Sequence, residues 1–95
     1  MVISAGKNIY LEEIENIILI FEGVKEVLVQ AKNSENGVAE LFGYVVVENE
    51  AEFDKADLIQ HCKQRLENYK IPKVISVVEK LEKTPSGKIK RNQML

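Results

Sequence analysis

Thr84-Pro85-Ser86-Gly87-Lys88 places an ammonium group directly after a glycine, in a segment where proline and glycine bracket an exposed turn. Glycine lets the backbone approach a ligand closely. A lysine held beside it can stabilise negative charge on a phosphate or a carboxylate. Lys88 is therefore the candidate catalytic group, and Gly87 the candidate binding position next to it. Ser-Gly-Lys is also the composition of an ordinary surface turn. It does not make a Walker phosphate loop, which needs a glycine five positions before the second glycine and a Ser or Thr after the lysine. Glu82 and Ile89 stand at those places.

A second small-residue turn, Ser4-Ala5-Gly6, precedes Lys7, a side chain able to lean toward a ligand or to remain solvated. His61 and Cys62 are neighbours on a predicted helix and point about 100° apart, so they form neither a metal pair nor a nucleophile with its base. Both read as packing residues, and no ligand-spaced partner suggests a metal site. Glu12, Glu13 and Glu15 read as the solvated start of a helix, where the helix dipole favours anions. Tyr69-Lys70-Ile71-Pro72 reads as a helix terminus with an aromatic anchor.

Positioning these groups falls to a short series of elements. Val2-Ile3 and Asn8-Ile9-Tyr10 are predicted as two very short strands around the first turn. Leu11, Ile14, Ile17, Ile18 and Phe21 recur at helical spacing, and Gly23 is the natural stop. Val24 to Ala31 and Val38 to Val47 are β-rich runs joined by a polar connection ending in Gly37, which suits an antiparallel hairpin. The run Tyr44 to Val47 suggests a strand covered on both faces. Asp54 and Asp57 resemble a helix cap. Leu58, Ile59, Cys62, Leu66 and Tyr69 then form the stripe of a second helix that Pro72 ends. Val74 to Val78 is a further strand, and a short helix is expected after Ile89. The predicted fold class is α+β: a small N-terminal β-hairpin, then helix-strand-strand-helix-strand in a mixed small sheet packed with helices, then a basic C-terminal loop.

Composition narrows the function classes. The 95 residues are 45% hydrophobic and 29% charged, which predicts one globular domain over residues 1–95. Net charge is −2, too near neutral for a polybasic nucleic-acid module. It is unevenly spread: residues 1–68 carry six basic and thirteen acidic side chains, residues 69–95 seven and two. The C-terminal third is thus the anion-facing end. No apolar run approaches the roughly 20 residues of a membrane span, and residues 1–20 lack signal-peptide features. The expected compartment is the cytoplasm, in keeping with the single cysteine. A domain this small rarely houses a deep pocket, so an enzymatic role would be a share in a larger site.

Taken in order, three segments resemble the C-terminal domain of the adenylate-forming (AMP-binding) superfamily, which includes acyl-CoA synthetases and the adenylation domains of peptide synthetases. Ile3 to Glu15 resembles the family's hinge-proximal loop and helix, Asn68 to Pro72 its Tyr-Lys-Val/Ile-Pro element, and Leu81 to Arg91 its terminal lysine loop. Ala5 stands where a glycine is usual, Leu11 where a proline is common, and Glu82 where the family often has proline. The wording around Ser4 to Tyr10 is similar to acyl-CoA synthetases.

The resemblance implies a mobile lid domain of an ATP-dependent acyl-CoA ligase, partnered by a large N-terminal adenylation domain that binds ATP, Mg2+ and the acyl group. Carboxylate and ATP give acyl-AMP and pyrophosphate, and the CoA thiol then attacks the acyl-AMP. It assigns Lys88 to the first step and the turn Ser4, Ala5, Gly6 and Lys7 to the path of the CoA pantetheine arm. Lys70 and Lys73 are implied contacts for CoA phosphates. Lys83, Lys90 and Arg91 share the charge of Lys88 without its glycine-flanked position, so their loss is expected to cost much less. Other readings are a peptide-synthetase lid and a stand-alone, non-catalytic binding module. An RNA-binding module of the KH type would need a Gly-x-x-Gly loop that Gly23, Gly37 and Gly43 do not make.

Overall fold

A computed structural model describes residues 2–91 and 93. The chain opens with a hairpin of β1 (Val2–Ser4) and β2 (Lys7–Ile9), followed by α1 (Leu11–Leu19), β3 (Val24–Asn33), β4 (Ala39–Val47), α2 (Lys55–Lys63) and β5 (Val74–Val77). β3 and β4 pair antiparallel and β5 joins β4 in parallel, so the three-stranded sheet is mixed, in the order β3-β4-β5. This is the α+β arrangement that the patterning predicts.

The core lies on one face of that sheet. Val27 and Val29 of β3, Leu41 and Val45 of β4 and Ile75 of β5 pack with Ile14 and Ile18 of α1, Leu58 and Cys62 of α2, and Ile9 of β2. The period-2 alternation of the strands and the i, i+4 spacing of the helices put these side chains inward together. Gly43 belongs to the same buried row of β4. A Cβ there would meet Ile75 Cδ1 at 2.7 Å and Pro72 at 3.7 Å, so the missing side chain is what lets the Pro72–Ile75 segment lie close against β4.

Three local expectations change. The run Tyr44 to Val47 is buried on one face only: Val45 is fully buried while Tyr44 and Val46 are half-buried. Helices pack on the core face, and among the described residues the second face is covered by the C-terminal segment along β3, where Leu28 and Gln30 are buried, and less fully over β4. α1 stops at Leu19 rather than Gly23, because the Phe21 N–H turns back to Ile18 O at 3.0 Å and tightens the end. Gly23 then takes φ +96° in the turn into β3. α2 likewise ends at Lys63, well before Pro72. The N–H groups of Arg65 and Leu66 both reach Cys62 O, and Asn68–Lys70 forms a separate 3-10 turn that keeps Leu66 and Tyr69 directed inward. By residue 73 the chain already lies beside β4, since Lys73 N–H donates to Leu41 O at 2.7 Å, and a longer helix would leave no room for that return. Asp54 caps α2 by accepting from Ala56 N–H at 2.8 Å. The expected closing helix falls partly on Asn92, Met94 and Leu95, outside the described residues.

Candidate functional site: two loops at opposite ends of one hairpin

Lys88 sits at the end of a tight hairpin. Lys83 and Ile89 form its antiparallel bridge, Thr84 N–H donates to Lys88 O at 2.7 Å, and Gly87 N–H donates to Thr84 O at 2.9 Å. Pro85 and the positive φ of Gly87 (+87°) suit a four-residue turn followed by a left-handed residue, which is why this sequence folds back here. The Thr84 hydroxyl also accepts from Lys88 N–H at 3.3 Å. Lys88 is exposed, and among the described residues it has no carboxylate partner. Two of its basic neighbours differ, since Lys83 is paired with Glu26 and Arg91 with Glu15, while Lys90 is exposed on the stem.

The turn between β1 and β2 places Ala5 at φ +50° and Gly6 at φ +79°, the two left-handed positions of a two-residue hairpin loop. Ser4 does not present its hydroxyl to solvent. It is buried, and its Oγ accepts from Ala39 N–H at 2.8 Å, while Ala5 N–H donates to Gly37 O at 3.2 Å. The turn is therefore braced against the β3–β4 connection, and Ala5, Gly6 and Lys7 form its presented surface.

Lys7 also meets the Tyr69 segment. Its Nζ lies 5.1 Å from the Tyr69 ring centroid and Lys70 Nζ lies 5.7 Å from it, so one aromatic ring holds two cations. Lys70 is paired with Glu13 at 3.1 Å, and that hydrogen bond pushes its ammonium above the ordinary lysine value against an opposing effect of desolvation. Lys73 lies 3.4 Å from Glu40. Four sequence-predicted positions, Gly6, Lys7, Lys70 and Lys73, are thus gathered at the Gly37 end of the sheet.

Lys88 is not with them. The stem of its hairpin is tied through Lys83 to Glu26, opposite Val46, whereas the first turn is tied to Gly37 and Ala39. Ala39 and Val46 are seven residue steps apart along β4, about 24 Å at strand rise. Among the described residues neither loop lines either of two open grooves in the surface. The larger open groove, about 360 Å³, is lined by Phe21, Glu22, Glu48, Glu52, Phe53 and Asp57 among others. Among the described residues no cluster of His, Cys, Asp and Glu could hold a metal ion, and no helix is long and apolar enough to cross a membrane. His61 bonds Ile17 O at 2.7 Å and Cys62 is buried, in keeping with their reading as packing residues.

Sequence reasoning missed four ion pairs, Lys70 with Glu13, Lys73 with Glu40, Lys83 with Glu26 and Arg91 with Glu15. The opposite charges of the two parts of the chain were the only available signal, and they do not say which acid meets which base.

An exposed glycine-flanked lysine on a C-terminal hairpin and a braced small-residue turn at the far end of the same sheet thus stand on one small α+β domain. Residues 13–88 match the family described as the AMP-binding enzyme C-terminal domain, and the chain belongs to that family. It is 47% identical over 94 residues to a 2-succinylbenzoate–CoA ligase of Listeria monocytogenes, covering 99% of this chain and 20% of that ligase. It is 36% identical over 89 residues to a long-chain-fatty-acid–CoA ligase of Mycobacterium tuberculosis, covering 94% and 18%. Among solved structures, o-succinylbenzoate CoA synthetase from Bacillus subtilis in complex with an acyl-adenylate intermediate superposes with a TM-score of 0.86 at 33% identity, over 97% of this chain and 19% of that one. The same synthetase bound to a CoA product analogue gives 0.87. The chain spans about a fifth of the length of the curated relatives it matches.

Proposed function

We propose that this chain is the mobile C-terminal domain of an ATP-dependent acyl-CoA ligase, with Lys88 serving adenylation and the Ser4–Lys7 turn serving thioester formation. The relatives named above are CoA ligases, and the Bacillus subtilis synthetase has been solved with an acyl-adenylate and with a CoA product analogue. The observation that carries the reading is the state of Lys88. Lys70, Lys73, Lys83 and Arg91 are each held by a carboxylate. Among the described residues neither Lys88 nor Lys90 has a carboxylate partner, but Lys90 lies on the stem, where its N–H closes on Glu82 O, whereas Lys88 stands exposed directly after the left-handed Gly87 at the turn.

In the first half-reaction a carboxylate oxygen attacks the α-phosphorus of ATP and pyrophosphate leaves. Two anions must approach each other, and a placed ammonium lowers that barrier. ATP, Mg2+ and the acyl group would be held by an N-terminal adenylation domain outside these residues. In the second half-reaction the CoA sulfur attacks the acyl carbonyl and AMP leaves. Ala5 and Gly6 present no bulky side chain to a pantetheine path, Lys7 leans onto the Tyr69 ring, and Ser4 holds the turn in place. Lys73 would exchange Glu40 for a CoA phosphate at little cost, since exposed ion pairs contribute only about 0–1 kcal/mol, and Lys70, paired with Glu13, would leave that carboxylate for a second phosphate. The separation of the two loops means that the domain turns to present one and then the other.

The test is Lys88→Ala in the ligase that carries this domain. Acyl-AMP formation, followed as pyrophosphate release, should fall by about 100- to 1000-fold, as for removal of one preorganised electrostatic contact. Thioester formation from supplied acyl-AMP should persist. An unchanged rate of pyrophosphate release would overturn the assignment.

A further inference from the structure

The hairpin that carries Lys88 is too short to orient itself, because isolated two-stranded hairpins are at best marginally stable in water. What its stems hold must set its direction. The first stem is fixed by Lys83 on Glu26, and the Gln93 carboxamide bonds both the N–H and the C=O of Glu82. The second stem ends in Arg91, whose guanidinium takes both oxygens of Glu15, NH1 on Oε2 at 2.8 Å and NH2 on Oε1 at 2.5 Å. NH1 also reaches Val29 O at 3.3 Å, and the Arg91 carbonyl accepts from Gln30 Nε2.

Glu15 completes the arrangement from the other side, accepting Val29 N–H at 2.8 Å. β3 is an edge strand of the sheet, and at Val29 the Glu15–Arg91 pair satisfies both its N–H and its C=O as a neighbouring strand would. The pair is bidentate and the Glu15 side chain only 14% exposed, which separates it from an ordinary surface ion pair. Its hydrogen bonds hold Arg91 above the ordinary arginine value against the effect of burial.

We propose that Arg91, clamped by Glu15 to the Val29 edge of β3, is the positioning residue for Lys88. Only Ile89 and Lys90 separate the two, so releasing Arg91 frees the second stem where Lys90 N–H closes on Glu82 O. Electrostatic catalysis depends on placement, and a misplacement of about 1 Å costs on the order of 100-fold. This role rests on the reading of Lys88 as the adenylation lysine, while the clamp itself does not.

The experiment therefore has two arms. In the 95-residue chain, Arg91→Ala should raise amide hydrogen exchange at Thr84 and Lys90 by about tenfold or more while Val27 and Val45 keep their protection. Arg91→Lys should lie between, having charge without the bidentate fork. Unchanged exchange, or an equal rise throughout the sheet, would overturn the clamp. In the ligase, Arg91→Ala should slow acyl-AMP formation by about 10- to 100-fold with KM values nearly unchanged and thioester formation from supplied acyl-AMP intact. It should add no further loss in a Lys88→Ala background, because it acts through Lys88. A severe Lys88→Ala with a harmless Arg91→Ala would overturn the positioning role alone. A silent Lys88→Ala would overturn the proposed function and the positioning role with it, whatever the exchange arm returns.

Discussion

The hydroxyl oxygen of buried Ser4 accepts the amide proton of Ala39 at 2.8 Å, thirty-five residues along the chain. A serine in an exposed-looking turn is thereby a strut between the first hairpin and the β3–β4 connection. The residues after it, Ala5, Gly6 and Lys7, are the exposed part of the turn.

Gly6 is the position where that exposed part is most easily blocked. A Cβ added there meets nothing within 4 Å, so a larger side chain projects outward rather than into the fold. Gly6→Trp in the ligase should abolish most thioester formation while pyrophosphate release stays within a few-fold of the parent. Gly6→Ala carries the same strain at positive φ, about 1–2 kcal/mol, without the bulk, and should affect both half-reactions mildly. Equal losses of adenylation and thioester formation in Gly6→Trp would remove the turn from the CoA path.

Ala5 occupies the left-handed region at φ +50° in a turn that favours glycine. Ala5→Gly should relieve about 1–2 kcal/mol of strain and lose roughly 0.4–1 kcal/mol to the greater freedom of the unfolded chain. The expected outcome is a small net gain in stability, read as a higher urea midpoint with an unchanged slope. A lower midpoint would show that Ala5 carries no appreciable strain.

At Gly43 the limitation is space. A methyl group there would meet Ile75 Cδ1 at 2.7 Å, and Ile75 is itself buried in the core. Gly43→Ala should destabilise the domain by about 1–3 kcal/mol, as overpacking of a filled core does. Ile75→Val in the same chain should recover part of that loss by withdrawing the clashing methyl. A denaturation curve superposing on the parent would show that β5 yields freely.

Cys62 gives the fold a defined alkaline sensitivity. Burial pushes its thiol above the ordinary cysteine value, against a smaller opposing effect of the Arg65 charge. The folded state therefore favours the protonated thiol. The contribution of Cys62 to stability is fully present below the unfolded-state thiol value, about 8.5, and is lost as pH rises through the higher folded value. Denaturant midpoints measured from pH 7.5 to 10 should fall more steeply for the parent than for Cys62→Ala. Parallel slopes would refute the linkage.

Much of this protein is legible without coordinates because its signals are local. Leu11, Ile14 and Ile18 fall on one face of a helix by spacing alone, Pro85 and Gly87 select a tight turn, and Gly37 closes a hairpin between two β-rich runs. The order of elements and the candidacy of Lys88 and the Ser4–Lys7 turn rest on such short-range rules, strengthened by motif resemblance. Where α2 stops was not legible, because Leu66 and Tyr69 keep helical spacing although the chain has already turned back toward β4. The uneven covering of Tyr44 and Val45 depends on which elements lie over each face of the sheet. Partners distant in sequence were hidden for the same reason. Glu15 and Arg91 are 76 positions apart, and nothing near either residue encodes the edge of β3 at Val29 where they meet. Arg91 and Lys83 looked like loose positive charge beside Lys88, and only the folding of the tail across the sheet turns them into its anchors. Spacing fixes which way a side chain faces on its own element, whereas ion pairing across the fold depends on how the elements pack, and that is settled only when the whole core closes.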